Sequence, residues 1–159
     1  MRKKALVVAA LLFWCSPVFV LASSSRTLLD DEMRVFELVN QERARRGLRP
    51  VQWDARLSDM ARMYSRQMAD GGFFDHYDQH GQAVEDRARR ARIRGWQKIG
   101  ENLFYCGRTS QFVDFAVRGW LKSPAHRDNM FDPTWTASGI GIARAASGEI
   151  YVTEVFIAD

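Results

Sequence analysis

Apolar residues recur at intervals of three and four in the first half of the chain, which is the spacing of amphipathic helices. The first such stretch covers residues 31–46 and ends at Gly47, which readily adopts the left-handed backbone that stops a helix. A second stretch follows Asp54, a favourable N-cap, and ends at Gly71. The two apolar stripes consist of Met33, Phe36, Leu38 and Val39 in the first stretch, and Leu57, Met60, Ala61, Tyr64 and Met68 in the second.

Two further helices are predicted in the middle of the chain. A short one covers residues 84–93. A longer one is capped by Thr109 or Ser110 and ends at Ser123, because a residue before proline avoids helical geometry. Between them, residues 96–107 form a loop with some strand character.

The last part of the chain has a different pattern. Residues 138–145 and 149–157 are rich in Ile, Val, Tyr and Phe, and the small residues 146–148 between them suit a hairpin turn. The order of helices first and an antiparallel sheet last is typical of α+β proteins, in which helices pack on one small sheet.

The N-terminus has the pattern of a secretory signal peptide. Arg2, Lys3 and Lys4 precede an apolar run over residues 5–21, and we expect cleavage after Ala22. An uncleaved membrane anchor would need about 20 continuous apolar residues. A serine and a proline interrupt this run, so cleavage is favoured over a stable anchor.

Cleavage divides the chain into a signal peptide at 1–22, a short linker at 23–30 and one domain at 31–159. The remaining 137 or so residues can bury a single core without help. Cys106 is then the only cysteine, so no internal disulfide can form. We expect a monomer that is stabilised by packing.

Charge gives little support for a nucleic-acid partner. The signal peptide carries three of the 23 basic residues and none of the 19 acidic ones, so its removal lowers the formal net charge from +4 to about +1. The arginine-rich stretch at 87–94 is interpreted as a solvated helix face. We therefore expect no nucleic-acid binding.

The residues best suited to chemistry are His76, Glu101 and His126. Imidazoles bind metals or move protons near neutral pH, and a carboxylate can complete a metal site or orient an imidazole. Gly100 would let the backbone near Glu101 approach other groups closely, and Asn102 can hold the loop. Because 25 residues separate each of the three from the next, spacing does not unite them. A loop histidine on its own is more often a hydrogen-bonding surface residue.

Five sets of motifs, in order along the chain, resemble the extracellular domains of the bacterial CAP superfamily. This group includes SCP-like domains of the cysteine-rich secretory protein, antigen 5 and pathogenesis-related 1 type. Together the motifs span about residues 33–157. They are LVNQERAR at 38–45, FDH at 74–76, GENL at 100–103, WLKSPAHRDNM at 120–130, and GIGI at 139–142 with YVTEVF at 151–156.

This resemblance implies an α-β-α sandwich with a small antiparallel sheet between helical layers and a cleft that gathers histidines and glutamates. His76, Glu101 and His126 are the matching positions. In several relatives such a cleft binds zinc or another divalent cation, others bind sterols or fatty acids, and a few have been described as proteases. A second glutamate of the fuller pattern is absent here, where Lys122 and Ser123 stand. The resulting triad would leave open coordination positions.

Three functional hypotheses follow from the sequence. The first is a secreted or periplasmic, non-catalytic binding module in which the triad takes a divalent cation such as zinc or a small ligand. The second is a metal-assisted hydrolase of peptide or cell-envelope material with Glu101 as general base. The third is a lipid or sterol carrier, suggested by the aromatic residues Phe73, Phe74, Trp96, Phe104 and Trp135.

Overall fold

The computed structural model describes residues 27–159, so the predicted signal peptide and the first half of the predicted linker lie outside the described residues. None of the helices in this range is long and apolar enough to cross a membrane. The elements in chain order are α1 (Leu28–Arg45), β1 (Gln52–Trp53), α2 (Ala55–Gly71), α3 (Val84–Arg90), β2 (Lys98–Cys106), α4 (Phe112–Lys122), α5 (Pro124–Met130), β3 (Ala137–Arg144) and β4 (Ile150–Ala158).

Helix α1 begins three residues earlier than the pattern predicts, because Thr27 forms a capping box. Its hydroxyl accepts a hydrogen bond from the Asp30 amide at 3.2 Å, and the Asp30 carboxylate accepts one from the Thr27 amide at 2.8 Å. The buried face also differs from the predicted stripe, since Met33 is exposed. Three charged residues take part in that face, which consists of Asp31, Glu32, Val35, Val39 and Arg43.

Two other helix boundaries depart from prediction for local reasons. Helix α3 ends at Arg90 rather than near residue 93, because Arg92 adopts a left-handed backbone with φ of 59°. Helix α4 has Gln111 at its N-cap, one residue beyond the predicted caps. The hydroxyl of Thr109 accepts a hydrogen bond from the Gln111 amide instead.

The sheet has the strand order β1-β3-β4-β2. The predicted antiparallel hairpin of β3 and β4 is confirmed, and β2 pairs antiparallel with the other side of β4 over nine residues. The two-residue strand β1 adds a parallel edge beside β3, which hydrophobic pattern could not indicate. Residues 98–106 form a regular strand rather than a loop, because pairing with the apolar strand β4 outweighs the poor strand preference of Gly100 and Asn102.

Strand β4 separates two cores, since alternate side chains of a strand point to opposite faces. Ile150, Val152 and Phe156 pack with residues of α1, α4 and α5 on one face. Val155 and Ile157 pack with α2 and α3 on the other. Helices therefore cover both faces of the sheet, which confirms the predicted α-β-α sandwich.

Helix α2 lies unusually close to β3 because two positions of that strand are glycine. A Cβ atom on Gly141 would overlap the backbone nitrogen of Arg62, and one on Gly139 would overlap that of Ser58. The close approach lets the Ser65 hydroxyl donate to the Gly141 carbonyl at 2.8 Å. These glycines are required by space rather than by backbone conformation.

A buried acid lies on the opposite face of the sheet. Glu154 is fully buried and accepts a hydrogen bond from the Ser138 hydroxyl at 3.2 Å. The charge of Arg43 acts on it, and that guanidinium donates to the carbonyls of Arg49, Met130 and Asp132. The hydrogen bond from Ser138 and the charge of Arg43 both favour the ionised carboxylate. Burial outweighs them and raises the pKa of Glu154 to about 8.

We predict that Gly141→Ala destabilises the fold, because helix α2 must move away from the sheet to admit the new methyl group. The free energy of unfolding should fall by about 3 kcal/mol or more, at the upper end for overpacking. Gly107→Ala is the matched control, since nothing lies within 4 Å of a Cβ there. Urea unfolding of both variants is the measurement, and equal midpoints would contradict the role of Gly141.

The raised pKa of Glu154 predicts a pH-dependent stability. The folded state keeps a proton that the unfolded chain, with an ordinary pKa of 4.5, has already released. The associated stabilisation is complete below about pH 4.5 and is lost progressively as the pH rises to about 8. Glu154→Gln keeps an acceptor for Ser138 and has no such titration.

The comparison is made by urea unfolding of wild type and Glu154→Gln between pH 5 and pH 8. From pH 5 to pH 8, the free energy of unfolding of wild type should fall relative to that of Glu154→Gln by on the order of a few kcal/mol. Glu37→Gln, at an exposed position of α1, is the control and should leave the slope unchanged. A stability difference between wild type and Glu154→Gln that is constant with pH would contradict the prediction.

Candidate functional site

The three residues singled out in the sequence lie around strand β2, which is at the edge of the sheet. His76 lies in the loop between α2 and α3, on one side of this strand. Glu101 is a residue of β2 itself, and His126 lies in the short helix α5. Both had been expected in loops. Helix α5 starts directly after α4 because Pro124, which ends one helix, is well suited to the first turn of the next.

His76 and Glu101 are in direct contact. The imidazole Nδ1 lies 2.9 Å from Oε1 of Glu101. The His76 side chain is 51% exposed, whereas that of Glu101 is only 3% exposed. The hydrogen bond to Glu101 and its negative charge raise the pKa of His76 against the opposing effect of burial. Nε2 of His76 has no hydrogen-bond partner among residues 27–159.

The second oxygen of Glu101 is held by Arg87, which the sequence analysis had assigned to a solvated face. Nη2 of Arg87 donates to Oε2 of Glu101 at 2.5 Å, and the arginine side chain is 7% exposed. The pattern did contain an indication, because Arg87 lies three residues after Val84 and directly before Ala88, which are both buried in α3. The interpretation of residues 87–94 as solvated is therefore wrong at Arg87.

The loop that carries His76 is fixed through its backbone. The Tyr64 hydroxyl donates to the Asp75 carbonyl at 2.5 Å, and Nη1 of Arg87 donates to the carbonyls of His76 and Gln82 at 3.1 and 3.0 Å. The Arg87 guanidinium also lies over the Tyr64 ring, 3.4 Å from its centroid. Helices α2 and α3 thus hold the loop jointly.

His126 is positioned from the other side of β2. The side chain of Asn102 donates to the His126 carbonyl at 3.1 Å and accepts from Nδ2 of Asn129 at 3.0 Å. A Cβ on Gly100 would lie 2.6 Å from the Asn129 side chain, so glycine permits this close packing. Burial, together with the charge of His76, lowers the pKa of His126. The two imidazoles therefore act on each other electrostatically.

The donor set differs from a three-ligand metal centre. Within residues 27–159, no group of three or more His, Cys, Asp and Glu side chains is arranged to hold a metal ion. Both oxygens of Glu101 are engaged, one by His76 and one by Arg87. Glu101 therefore orients the imidazole of His76. Metal binding by the triad stays a prediction.

Most of the aromatic residues that suggested a lipid carrier have packing roles. Trp135 stacks on Phe156 in the core, and Phe104 packs against the same cluster. Phe73 contacts the Tyr64 ring edge to face, and Trp96 is half-buried. Phe74 alone of the five predicted residues is exposed.

The groove between α2 and α3 is small. Its volume of about 140 Å³ lies below the roughly 300–1,000 Å³ of typical ligand pockets. The groove is lined by Met60, Met63, Tyr64, Gln67, Arg87, Arg90 and Ala91.

Comparisons with known proteins agree with this fold. Residues 36–156 match the family model described as the cysteine-rich secretory protein family, CAP. The YkwD protein of Bacillus subtilis strain 168 is 36% identical over 126 residues, which are 79% of this chain and 46% of that protein. The chain thus spans less than half the length of this curated relative.

Two solved structures share the architecture. An extracellular SCP-domain protein from Bacillus anthracis Ames superposes with a TM-score of 0.70 at 29% identity, covering 81% of this chain and 40% of that one. An outer surface protein from Borrelia burgdorferi gives a TM-score of 0.75 at 15% identity, covering 84% and 96%. The second likeness concerns the fold alone. Because the family model covers most of the chain, this protein belongs to the cysteine-rich secretory protein (CAP) family.

Proposed function

We propose that this CAP domain is a secreted, non-catalytic binding module whose His76 and His126 imidazoles take a divalent cation such as zinc, or a small ligand. One observation carries the proposal. The Nδ1 atom of a half-exposed imidazole is hydrogen-bonded to a buried carboxylate, and its Nε2 atom has no hydrogen-bond partner within residues 27–159. Metal-binding histidines commonly have such a carboxylate on the ring nitrogen that does not face the metal.

The electrostatics of the second imidazole support the same function. Burial and the charge of His76 lower the pKa of His126, which favours the neutral form that donates a lone pair. Two imidazoles suit zinc, copper or nickel better than magnesium or calcium, which prefer oxygen ligands. A bound ion of this kind would offer open coordination positions to a small ligand.

No contact in the described structure favours the hydrolase alternative. A general base must accept a proton from water or from the substrate. Glu101 is 3% exposed and its two oxygens already accept from His76 and Arg87. The carboxylate is therefore occupied in orienting its neighbours.

Secretion is proposed from the N-terminal pattern of basic residues followed by an apolar run. The family assignment and the extracellular SCP-domain relative are consistent with it. The ligand would then come from the surroundings of the cell or from its envelope.

Zinc should bind saturably to the purified protein from Ser23 onward, and His76→Ala and His126→Ala should each abolish binding because each removes one of two donor nitrogens. Isothermal titration calorimetry is the measurement. His80→Ala is the matched control and should bind like wild type, because the role of that residue is a turn held by its backbone amide on Asp78. Wild-type affinity in the two site variants would contradict the assignment.

The zinc-loaded protein should release no product from denatured protein or from peptidoglycan that depends on Glu101. The reason is that the carboxylate is buried away from water and both of its oxygens already take part in hydrogen bonds within the protein. Product release is followed by mass spectrometry for wild type and Glu101→Gln. A product formed by wild type and lost in Glu101→Gln would support the hydrolase instead.

A further inference from the structure

The basic residues of this domain are distributed unevenly along the chain. Four of the 23 basic residues and none of the 19 acidic ones precede residue 27, so residues 27–159 hold 19 of each sign and have no formal net charge. The segment 87–98 nevertheless contains six basic residues and no acidic one. Such a local excess of one sign on a neutral domain marks a surface for a partner of the opposite sign.

Five of these six side chains are exposed, and we call them the basic surface. It consists of Arg89, Arg90, Arg92, Arg94 and Lys98. Three of the five have an acidic neighbour, whereas Arg92 and Arg94 have no ion-pair partner within residues 27–159. The three pairs are Arg89 with Asp86, Arg90 with Asp78, and Lys98 with Asp132. Arg92 and Arg94 therefore present unpaired charge to solvent.

Arg92 also has a backbone conformation that favours glycine. Its φ is 59°, and it is the only residue other than glycine at positive φ within residues 27–159. A side chain at such a position is unfavourable relative to glycine. No hydrogen bond or ion pair of the exposed guanidinium within that range offsets this cost. A strained residue whose side chain has no polar partner inside the domain indicates a partner outside it.

The surroundings of these charges suit a hydrated polyanion better than a lipid surface. Docking on lipid requires exposed apolar side chains among the basic ones. In the segment 87–98, Ile93 is buried and Trp96 is half-buried, with its Nε1 donating to the Ile93 carbonyl at 3.2 Å. Met63, which lines the same groove as Arg90, is exposed, but one methionine offers little apolar area for insertion.

The arrangement of the charges indicates a chain of phosphates. Guanidinium groups bind phosphate through paired N–H donors. The basic surface extends from the last turn of α3 to the first residue of β2, so its charges follow a path along the chain. No aromatic side chain of the segment 87–98 is exposed to stack on the bases of a single-stranded nucleic acid.

We propose that the basic surface binds an anionic polymer of the cell envelope that has a phosphodiester backbone. The choice of an envelope polymer rests on the secretion proposed above, which would bring the protein into contact with such polymers. The binding itself is independent of the zinc site, because Arg92 and Arg94 make no contact with His76, Glu101 or His126.

The test is a titration of purified protein from Ser23 onward with poly(glycerol phosphate), followed by calorimetry at several salt concentrations. Wild type should bind with an affinity that falls steeply as salt rises, because bound phosphates release their counterions. Arg92→Gly combined with Arg94→Gln removes two charges and should weaken binding about tenfold or more. The matched control, Arg49→Gln combined with Lys122→Gln, removes equal charge at exposed positions elsewhere and should bind like wild type.

The glycine substitution separates binding from folding. Because glycine relieves the left-handed backbone at residue 92, the double variant should unfold at a urea concentration at least as high as wild type does. It should also bind zinc like wild type. Failure of zinc binding in wild type would refute the proposed function and leave the polymer titration unaffected, so the two proposals fail separately.

Three results would overturn the proposal. One is equal polymer affinity in wild type and in the variant of residues 92 and 94, and another is an equal loss of affinity in the control. The third is stronger binding, at equal phosphate concentration, to vesicles of phosphatidylglycerol and phosphatidylcholine in equal parts or to single-stranded DNA. That result would identify a lipid surface or a nucleic acid as the partner instead.

Discussion

The burial of strand β4 on both faces is the constraint on which the rest of the structure depends. Each of its residues is buried, and successive side chains enter different cores. Such a strand needs helices above and below it and a neighbouring strand on each side. The family architecture follows from this requirement, and so does the position of β2 at the edge of the sheet. The loop after α2 and helix α5 both contact this edge strand, the loop at Glu101 and the helix at Asn102.

Buried polar groups give this fold its specificity at several places. Glu32 accepts from the Ile142 amide at 3.1 Å and from Arg62, which ties α1 to both β3 and α2. Arg43 ties α1 to the last residue of α5 and to the segment after it. The Arg87 and Glu101 pair at the site follows the same principle, because each buried charge has a specific partner. The Arg87 and Glu101 pair differs from the Glu32 and Arg62 pair because a half-exposed imidazole, that of His76, contacts it.

Much of the fold could be predicted from sequence, and the exceptions share a cause. Leu57, Ala61 and Met68 were recognised as core because apolar spacing reports directly on helical faces. Glu32 and Arg87 were missed because that spacing treats every charge as exposed. The partners that permit their burial lie far away in sequence, at Ile142 and Glu101. Contacts of this kind become visible only when the chain is folded.

The candidate site likewise has features that could be predicted from sequence and features that could not. Resemblance to a family selected His76, Glu101 and His126, and the structure brings the first two within a hydrogen bond of each other. The distinct role of Glu101 could not be predicted, because it depends on where its two oxygens point. Sequence alone tells which residue type stands at a position. The geometry of the folded chain decides which of these residues can bind a ligand and which one orients its neighbour.

The most direct test of this account is a crystal structure of the protein soaked with zinc. The account predicts an ion on His76 and His126, with Glu101 still bonded to His76 and Arg87. An ion bound by Glu101 itself, with its contact to Arg87 broken, would contradict it.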